Sequence, residues 1–295
     1  MDIGPGEVFD QARLGVWAKI WMLLSCFHNW PTVTTRLAVS RLLGRPPNGR
    51  SLSLRTRAGP VLTVPPGDGS WCTVVEVFGK DGYRLGDLHP DANAPVFVDI
   101  GANIGSFALD VCARWPDARV VCLEPAPGAF AHLVSNLEAN RCSNRVNAVA
   151  AAVTGDSELS TVWLFECPSA SDTSTTVETF ARRRADSLDG QRGQPGHWIR
   201  VPAVSLDDVI VGVEGVVECL KLDVEGAEYD IIAGTRLESL RQLRQVVVEY
   251  HPVPNRAVAE LVERFAQVSL SWTRWERSPE PGRGVCWFAA AKGEP

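Results

Sequence analysis

An acidic residue followed by spaced glycines forms the first group in the chain that could bind a ligand. Asp99 lies within an apolar run, and Gly101, Ala102, Asn103 and Gly105 follow before a helical pattern begins. Glycines let the backbone pass close to a ligand where a side chain would obstruct it. Dinucleotide-binding enzymes use the spacing Gly-x-Gly-x-x-Gly, whereas this loop has an acid before its first glycine. That acid would repel a phosphate, but it suits a cationic amine.

A second acid, Glu124, closes the next apolar run and precedes Pro125. A carboxylate about 20 residues after a glycine loop can accept hydrogen bonds from both ribose hydroxyls of an adenosine. Together with Asp99, this pattern predicts S-adenosylmethionine (SAM) as the ligand and argues against a dehydrogenase. Asn147 and Ala148, in the third apolar run, are predicted to offer a backbone edge to the adenine.

The third group, Asp223, Glu249 and His251, follows two later apolar runs. Strand ends that meet at one edge of a sheet would bring these side chains into a single cleft beside the transferred methyl group. His251 or Asp223 could act as a general base on an acceptor hydroxyl. Alternatively, all three could hold a divalent cation such as Mg²⁺ that acidifies the hydroxyl. A structural hydrogen-bonded pair of His251 and a glutamate is the third interpretation.

The elements that must position these groups alternate between apolar strands and helices. Continuous apolar strands separated by helices predict a mostly parallel sheet covered on both faces. We predict an α/β protein with the class I SAM-methyltransferase Rossmann-like fold, a seven-stranded sheet and a C-terminal antiparallel hairpin. The predicted strands cover 96–100, 119–123, 146–153, 216–222, 245–250, 268–275 and 285–292, and the helices lie near 105–115, 127–140, 227–241 and 255–267.

The catalytic domain is predicted to span residues 70–295, after an extension over residues 1–69. The extension is predicted to contain an amphipathic helix over 8–30, a second short helix and a β-hairpin over 51–64. A polar insertion at 155–203 interrupts the strand–helix alternation. Such insertions are either functional loops or disordered, so this one is a candidate substrate lid or a disordered segment.

The amino-acid composition limits the kinds of molecule that this protein could bind. The net charge of −6 and the pI of about 5.5 exclude a general nucleic-acid binder. Residues 1–60 carry eight basic and three acidic side chains, and this basic excess either faces solvent or meets a membrane surface or an anionic substrate. The Trp-containing helix over 8–30 either packs on the domain or contacts the inner membrane face. Eight scattered cysteines without a Cys-x-x-Cys pair predict a cytoplasmic location. No pattern indicates an oligomeric state.

Several longer runs resemble one methyltransferase family. FVDIGANIGSFAL, EPAPGAFAHLVSNLEAN, LKLDVEGAEYDIIAG and VVVEYHP, together with EVFGKDGYRLGDL upstream, are similar to the FkbM-type methyltransferases over roughly residues 70–255. The resemblance implies a SAM-dependent O-methyltransferase whose acceptor is a hydroxylated small molecule, such as a natural product, glycoside or glycolipid. It implies that Asp99 to Gly105 and Glu124 bind SAM, and that Glu76 and Tyr83 close the pocket from above.

Two other functions stay open at this point. One is an N-methyltransferase of the same fold, although the Asn-Pro-Pro-Tyr-like motif that favours it does not follow the fourth strand. The other is a membrane-associated SAM-binding protein without turnover. The resemblance does not identify the acceptor, because the N-terminal extension and the insertion carry none of its motifs.

Overall fold

A computed structural model describes residues 6–7, 21, 23–43, 51–65, 70–166, 174–177, 196–277 and 282–290. Its main sheet has eight strands in the order β1-β12-β13-β11-β10-β4-β5-β6, and β13 is the strand that runs antiparallel to its neighbours. These strands are Gly6–Glu7 (β1), Val96–Ile100 (β4), Arg119–Leu123 (β5), Val146–Val149 (β6), Val217–Leu222 (β10), Gln245–Tyr250 (β11), Leu270–Arg277 (β12) and Gly284–Ala290 (β13).

This strand order confirms the predicted class I methyltransferase-like α/β fold. Six of the seven longer strands match the predicted runs, β6 covers the first half of the run 146–153, and the two-residue β1 adds an eighth strand beside β12. The central strands β4 and β10 are almost entirely buried, as expected for parallel strands with both faces covered. From β4 the chain builds β5 and β6 on one side and β10 and β11 on the other, which creates a crevice at the carboxyl ends.

Eight helices that lie wholly within the described residues accompany the strands. They are Trp30–Leu43 (α1), Ser70–Lys80 (α2), Ser106–Arg114 (α3), Pro127–Ala139 (α4), Leu206–Val211 (α5), Glu228–Gly234 (α6), Leu237–Leu240 (α7) and Val258–Ala266 (α8), and a 3₁₀ turn covers Leu85–Asp87. One apolar core lies between the sheet and the α2–α4 side, where Phe97 and Phe107 are buried. A second core on the opposite face contains Leu222, Phe265 and Phe288.

The N-terminal extension contains the predicted hairpin, whose strands are Leu52–Arg55 (β2) and Val61–Val64 (β3). Of the helix predicted over 8–30, residues 8–20 and 22 lie outside the described residues. At its described end Leu23 and Phe27 are buried in the core, whereas Trp21 is 71% exposed. No helix among the described residues has the length and apolarity that crossing a membrane requires; membrane contact stays a prediction.

Two predicted elements are interrupted in the structure. The run 146–153 splits, because the Ala151 amide bonds back to the Val149 carbonyl and the chain leaves the main sheet. Its second part, Ala152–Thr154 (β7), pairs instead with His197–Ser205 (β9). The predicted helix 227–241 also divides, because Thr235 and Arg236 adopt extended backbone angles between α6 and α7.

The insertion at 155–203 is partly a small sheet. Thr161–Glu166 (β8) pairs antiparallel with β9, and β7 completes three strands. The prediction of a disordered segment is therefore wrong for these strands, and the remaining insertion residues, 167–173 and 178–195, lie outside the described residues. Leu164 of β8 is buried against Ala126 and Ala129, so the small sheet packs beside α4 and the main crevice.

Candidate active site

A cavity with about 610 Å³ of empty space, part of it open to solvent, lies at the carboxyl ends of β4, β5 and β10. Ligands of open α/β sheets bind at this edge. Gly101, Asn103, Glu124, Pro125 and Asp223 all line it. The three groups that the sequence singled out therefore have members in one cavity.

The loop after β4 depends on its glycines. Gly101 has a φ of +77°, and a Cβ there would lie 1.8 Å from the carbonyl oxygen of Asp223. Any side chain at this position would push the β4 and β10 loops apart. Gly105 has a φ of +90° and precedes the first residue of α3. Asn103 is also left-handed, with a φ of +49°, a region that asparagine enters more readily than most residues.

Glu124 joins this loop to the turn after β5. Its Oε2 accepts a hydrogen bond from the Asn103 amide and its Oε1 accepts one from the Ala126 amide, each at 2.8 Å. Burial raises the pKa of the Glu124 carboxyl to about 7, although both amide bonds act in the opposite direction. Each carboxylate oxygen keeps a further lone pair for a ligand hydroxyl. Glu124 can therefore hold a ribose while it fixes both loops.

Asp99 lies behind the cavity wall instead of lining it. Its carboxylate is fully buried, and Lys221 Nζ of the neighbouring strand lies 3.2 Å from Oδ1. Lys221 also donates a 2.6 Å hydrogen bond to the Gly101 carbonyl. Burial by itself would lower the pKa of Lys221, but the charges of Asp99 and Asp223 outweigh it and raise the pKa. Lys221 is thus a buried ammonium that ties Asp99 to the glycine loop.

Asp223 is the half-buried carboxylate at the junction of the cavity and the acidic cluster. Tyr83 donates a 3.3 Å hydrogen bond to its Oδ2, and Lys221 Nζ lies 3.6 Å from the same oxygen. Burial and the nearby charge of Glu249 raise the pKa of Asp223 to about 6, against the opposing effects of Lys221 and His251. At neutral pH the group is still ionised, yet it is more basic than an ordinary aspartate.

Glu249, at the end of β11, is engaged by a residue of the C-terminal hairpin. Arg283 donates to Glu249 Oε1 from Nη2 at 2.6 Å and from Nε at 3.0 Å. Glu76 of α2 belongs to the same electrostatic group, because burial and the charge of Glu249 raise its pKa to about 7. Neither Glu76 nor Tyr83 lines the cavity, so their predicted closure of the pocket stays a prediction.

His251 is buried between two glutamates. Its Nδ1 lies 2.8 Å from Glu228 Oε1 and its Nε2 lies 3.6 Å from Glu225 Oε2. Glu228 Oε1 also accepts hydrogen bonds from the Val224 and Gly226 amides. Burial would lower the pKa of His251, but the two carboxylates outweigh it and raise the pKa well above its usual value. At neutral pH the ring is therefore an imidazolium that holds the turn after β10.

Comparison with known proteins identifies the family of this chain. The methyltransferase FkbM domain model matches residues 99–270, more than half of the chain. The chain belongs to the FkbM methyltransferase family. Methyltransferase sdnD of Sordaria araneosa is 30% identical over 224 residues, which are 70% of this chain and 84% of that protein. The predicted family of SAM-dependent methyltransferases is thereby confirmed.

Two further relatives carry names that mention oxygen as the methylated atom. The 31-O-demethyl-FK506 methyltransferase FkbM of Streptomyces tacrolimicus is 30% identical over 57% of this chain and 69% of its own length. The 2-O-methyltransferase NoeI of Sinorhizobium fredii is 29% identical over 59% of this chain and 74% of its own length. Both are similar to this FkbM-family chain at a level that leaves its acceptor undefined.

The predicted metal ligands do come together. Asp223, Glu249 and His251 offer ligand atoms that all lie within 4.8 Å of one another. The surrounding charges fit a divalent cation poorly, because Lys221 and Arg283 already pair with the two carboxylates. A protonated imidazole also has no lone pair for a metal. The metal interpretation stays a prediction.

Part of the insertion reaches the site. Ser174 and Thr176 line the cavity, and the hydroxyl of the buried Thr175 donates a 2.8 Å hydrogen bond to the carbonyl oxygen of Glu225. Glu225 has a φ of +53°, so this bond supports the left-handed turn between Asp223 and α6. The described part of the insertion therefore forms one wall of the cavity.

Several predicted binding residues do not line the cavity. The cavity lining includes Ala151, Ala152 and Val153, and it does not include Asp99, Ala102, Gly105, Asn147 or Ala148. Sequence reasoning assigned no role to Lys221, Arg283 and Thr175. Lys221 lies in the run LKLDVEGAEYDIIAG, and a lysine inside a predicted buried strand indicates an ion pair. No local pattern marked Arg283 or Thr175.

Proposed function

We propose that this FkbM-family chain transfers a methyl group from SAM to a hydroxyl oxygen of a small or sugar-containing acceptor. The main support for the proposal is the position and basicity of Asp223. Its carboxylate lines the cavity beside the glycine loop and has a pKa of about 6. A carboxylate with a raised pKa is a competent general base near neutral pH. Supporting it, Glu124 lines the same cavity and suits the ribose.

In the proposed reaction Gly101, Asn103, Glu124 and Pro125 bind SAM, with its methyl directed toward Asp223. The acceptor oxygen attacks the methyl carbon in line with the sulfur. The C–O bond forms as the S–C bond breaks, and the hydroxyl proton passes to the Asp223 carboxylate. The products are a methyl ether and S-adenosylhomocysteine, and Asp223 releases the proton to solvent.

His251, which the sequence offered as base, receives a different role in this proposal. Only 1% of it is exposed, and its ring lies between Glu225 and Glu228. Its imidazolium orients the turn that carries Asp223 and lowers the pKa of that aspartate by its charge. Glu249, paired with Arg283, raises the pKa of Asp223.

The test is a mass-spectrometric turnover assay with SAM and a panel of nucleotide sugars, glycosides, glycolipid head groups and macrolides. One added methyl on an oxygen supports the proposal; a methyl on nitrogen would establish the N-methyltransferase alternative. Turnover by Asp223→Asn is expected to fall about 10²–10⁴-fold, with S-adenosylhomocysteine affinity nearly unchanged. Asp117→Asn, an exposed acid far from the cavity, is the matched control.

The pH profile gives a second readout. Since the base must be ionised, kcat/KM of the wild type for the acceptor, measured at saturating SAM, is expected to rise with pH through about 6 and then level off. Full turnover by Asp223→Asn would contradict its role as base. Absence of S-adenosylhomocysteine binding by the wild type would contradict the proposed function as a whole.

A further inference from the structure

The N-terminal hairpin docks on the catalytic domain through two asparagines of one helix. Asn136 and Asn140 lie one turn apart at the end of α4. Asn140 accepts from the Val61 amide at 2.8 Å and donates to the Val61 carbonyl at 2.7 Å. Asn136 accepts from the Thr63 amide at 2.7 Å and donates to the Thr63 carbonyl at 3.3 Å. Val61 and Thr63 are alternate residues of β3, so the two amides bind its edge as a neighbouring strand would.

The two asparagines differ in their further contact, because Asn140 Nδ2 donates a 2.7 Å hydrogen bond to the Asn136 carbonyl within the same helix end, whereas Asn136 reaches the glycine loop. Its Nδ2 donates a 2.9 Å hydrogen bond to the carbonyl oxygen of Ile104, inside the glycine loop. Ile104 stands between two left-handed residues, Asn103 and Gly105. Because Nδ2 holds that carbonyl, the peptide plane between Ile104 and Gly105 cannot rotate freely. The loop is thus held from behind by Asn136 and from the cavity side by Glu124.

We propose that Asn136 is a positioning residue for the SAM site and that the N-terminal hairpin contributes to cosubstrate affinity through it. The inference rests on the proposed function, in which the glycine loop binds SAM. Asn136 is 1% exposed and its amide is shared between Thr63 and Ile104. It cannot turn toward another partner without breaking its bonds to the hairpin. The docked hairpin therefore fixes the orientation of the amide that holds the loop.

The chain offers a matched pair of variants for the test. Asn136→Ala and Asn140→Ala each remove two hydrogen bonds to β3, and only the first also releases Ile104. The affinity for S-adenosylhomocysteine is measured by calorimetry on the full chain. Asn136→Ala is expected to bind about tenfold more weakly, because a buried carbonyl loses its donor, whereas Asn140→Ala binds as the wild type does. Asn136→Ser is the milder variant if alanine prevents folding.

Hydrogen exchange of the segment 101–109 distinguishes a positioning role of Asn136 from a purely structural role, which would affect the Asn136 and Asn140 variants alike. Exchange there is expected to be faster in the Asn136 variants and unchanged in Asn140→Ala. Equal affinity losses in both alanine variants, or unchanged affinity in Asn136→Ala, would overturn the inference. In either result the wild type still binds the probe, so the proposed function stands. A wild type that does not bind the probe refutes the proposed function, and the inference with it.

Discussion

Replacement of Lys221 by methionine tests how the charged centre of the site is held together. Lys221 is the cation within reach of the fully buried Asp99, at 3.2 Å, and it also bonds to the Gly101 carbonyl. Neither Asp99 oxygen accepts a regular hydrogen bond from the described residues. Methionine has a similar length without the charge, so Lys221→Met leaves a buried carboxylate with no cation beside it.

Two calculations give the expected decrease in the free energy of unfolding of Lys221→Met. Removing one partner of a buried ion pair costs about 3–5 kcal/mol. Alternatively, Asp99 becomes protonated in the folded variant. From an unfolded pKa of about 3.9 to an assay pH of 7.5, at 1.36 kcal/mol per unit, that costs at most about 5 kcal/mol, because burial already raises the pKa of Asp99 in the wild type. Both calculations predict that the free energy of unfolding of Lys221→Met is lower by about 3–5 kcal/mol at pH 7.5, which lowers the melting temperature by about 10 °C.

The protonation route also predicts how the loss depends on pH. In the variant the folded pKa of Asp99 lies above its unfolded value, so the penalty grows as pH rises and shrinks as pH falls. At pH 5.5 the same calculation gives about 2 kcal/mol. The double variant Asp99→Asn/Lys221→Met has no buried charge at this pair, so it is expected to recover most of the loss at pH 7.5.

The assay is urea unfolding of the wild type, both single variants and the double variant at pH 7.5 and 5.5. Asp91→Asn serves as control, because it breaks an exposed ion pair with Arg244 that is worth less than about 1 kcal/mol. A Lys221→Met variant within about 1 kcal/mol of the wild type at pH 7.5 would refute the reasoning. So would a double variant no more stable than Lys221→Met.

Two further predictions concern ligand and metal. Glu124→Gln is expected to weaken S-adenosylhomocysteine binding about 10–100-fold, since hydrogen bonds to a charged group are worth about 1.5–3 kcal/mol. In the wild type the affinity should also fall as pH drops below about 7, because the carboxylate must be ionised to bind and its pKa is about 7; calorimetry from pH 6 to 8 measures both effects, and a pH-independent wild type would contradict the assignment. Addition of EDTA is expected to leave turnover unchanged, because Lys221 and Arg283 already balance the carboxylates; loss of activity that Mg²⁺ restores would establish the metal interpretation.

Much of the fold could be predicted from apolar periodicity. The runs 96–100, 119–123 and 245–250 coincide with β4, β5 and β11, because buried parallel strands are continuously apolar and end at polar loops. The break after Val149 could not be predicted, because the alanine-rich run 146–153 contains no turn signal. Strand β9 was not predicted because it lies at the end of a long polar insertion, although its exposed and buried positions alternate in part as in a half-buried strand.

The candidate site also has one part that the sequence predicts and another that only the structure shows. Asp223 and Glu124 were predictable because strand ends and glycine loops have a fixed spacing along the chain. The state of His251 was not, because its charge depends on Glu225 and Glu228, which the turn after β10 brings to both ring nitrogens. Thr175 likewise reaches Glu225 from 50 residues away.

The sequence by itself determined the fold class, the family and the loop that approaches the ligand, because these depend on local patterns of apolar residues, glycines and acids. Only the tertiary structure decided which charges face each other. Asp99 pairs with Lys221 across two strands, and Glu249 pairs with Arg283 of the hairpin. Burial and neighbouring charges set the pKa of each group, and both are properties of packing that no stretch of sequence contains.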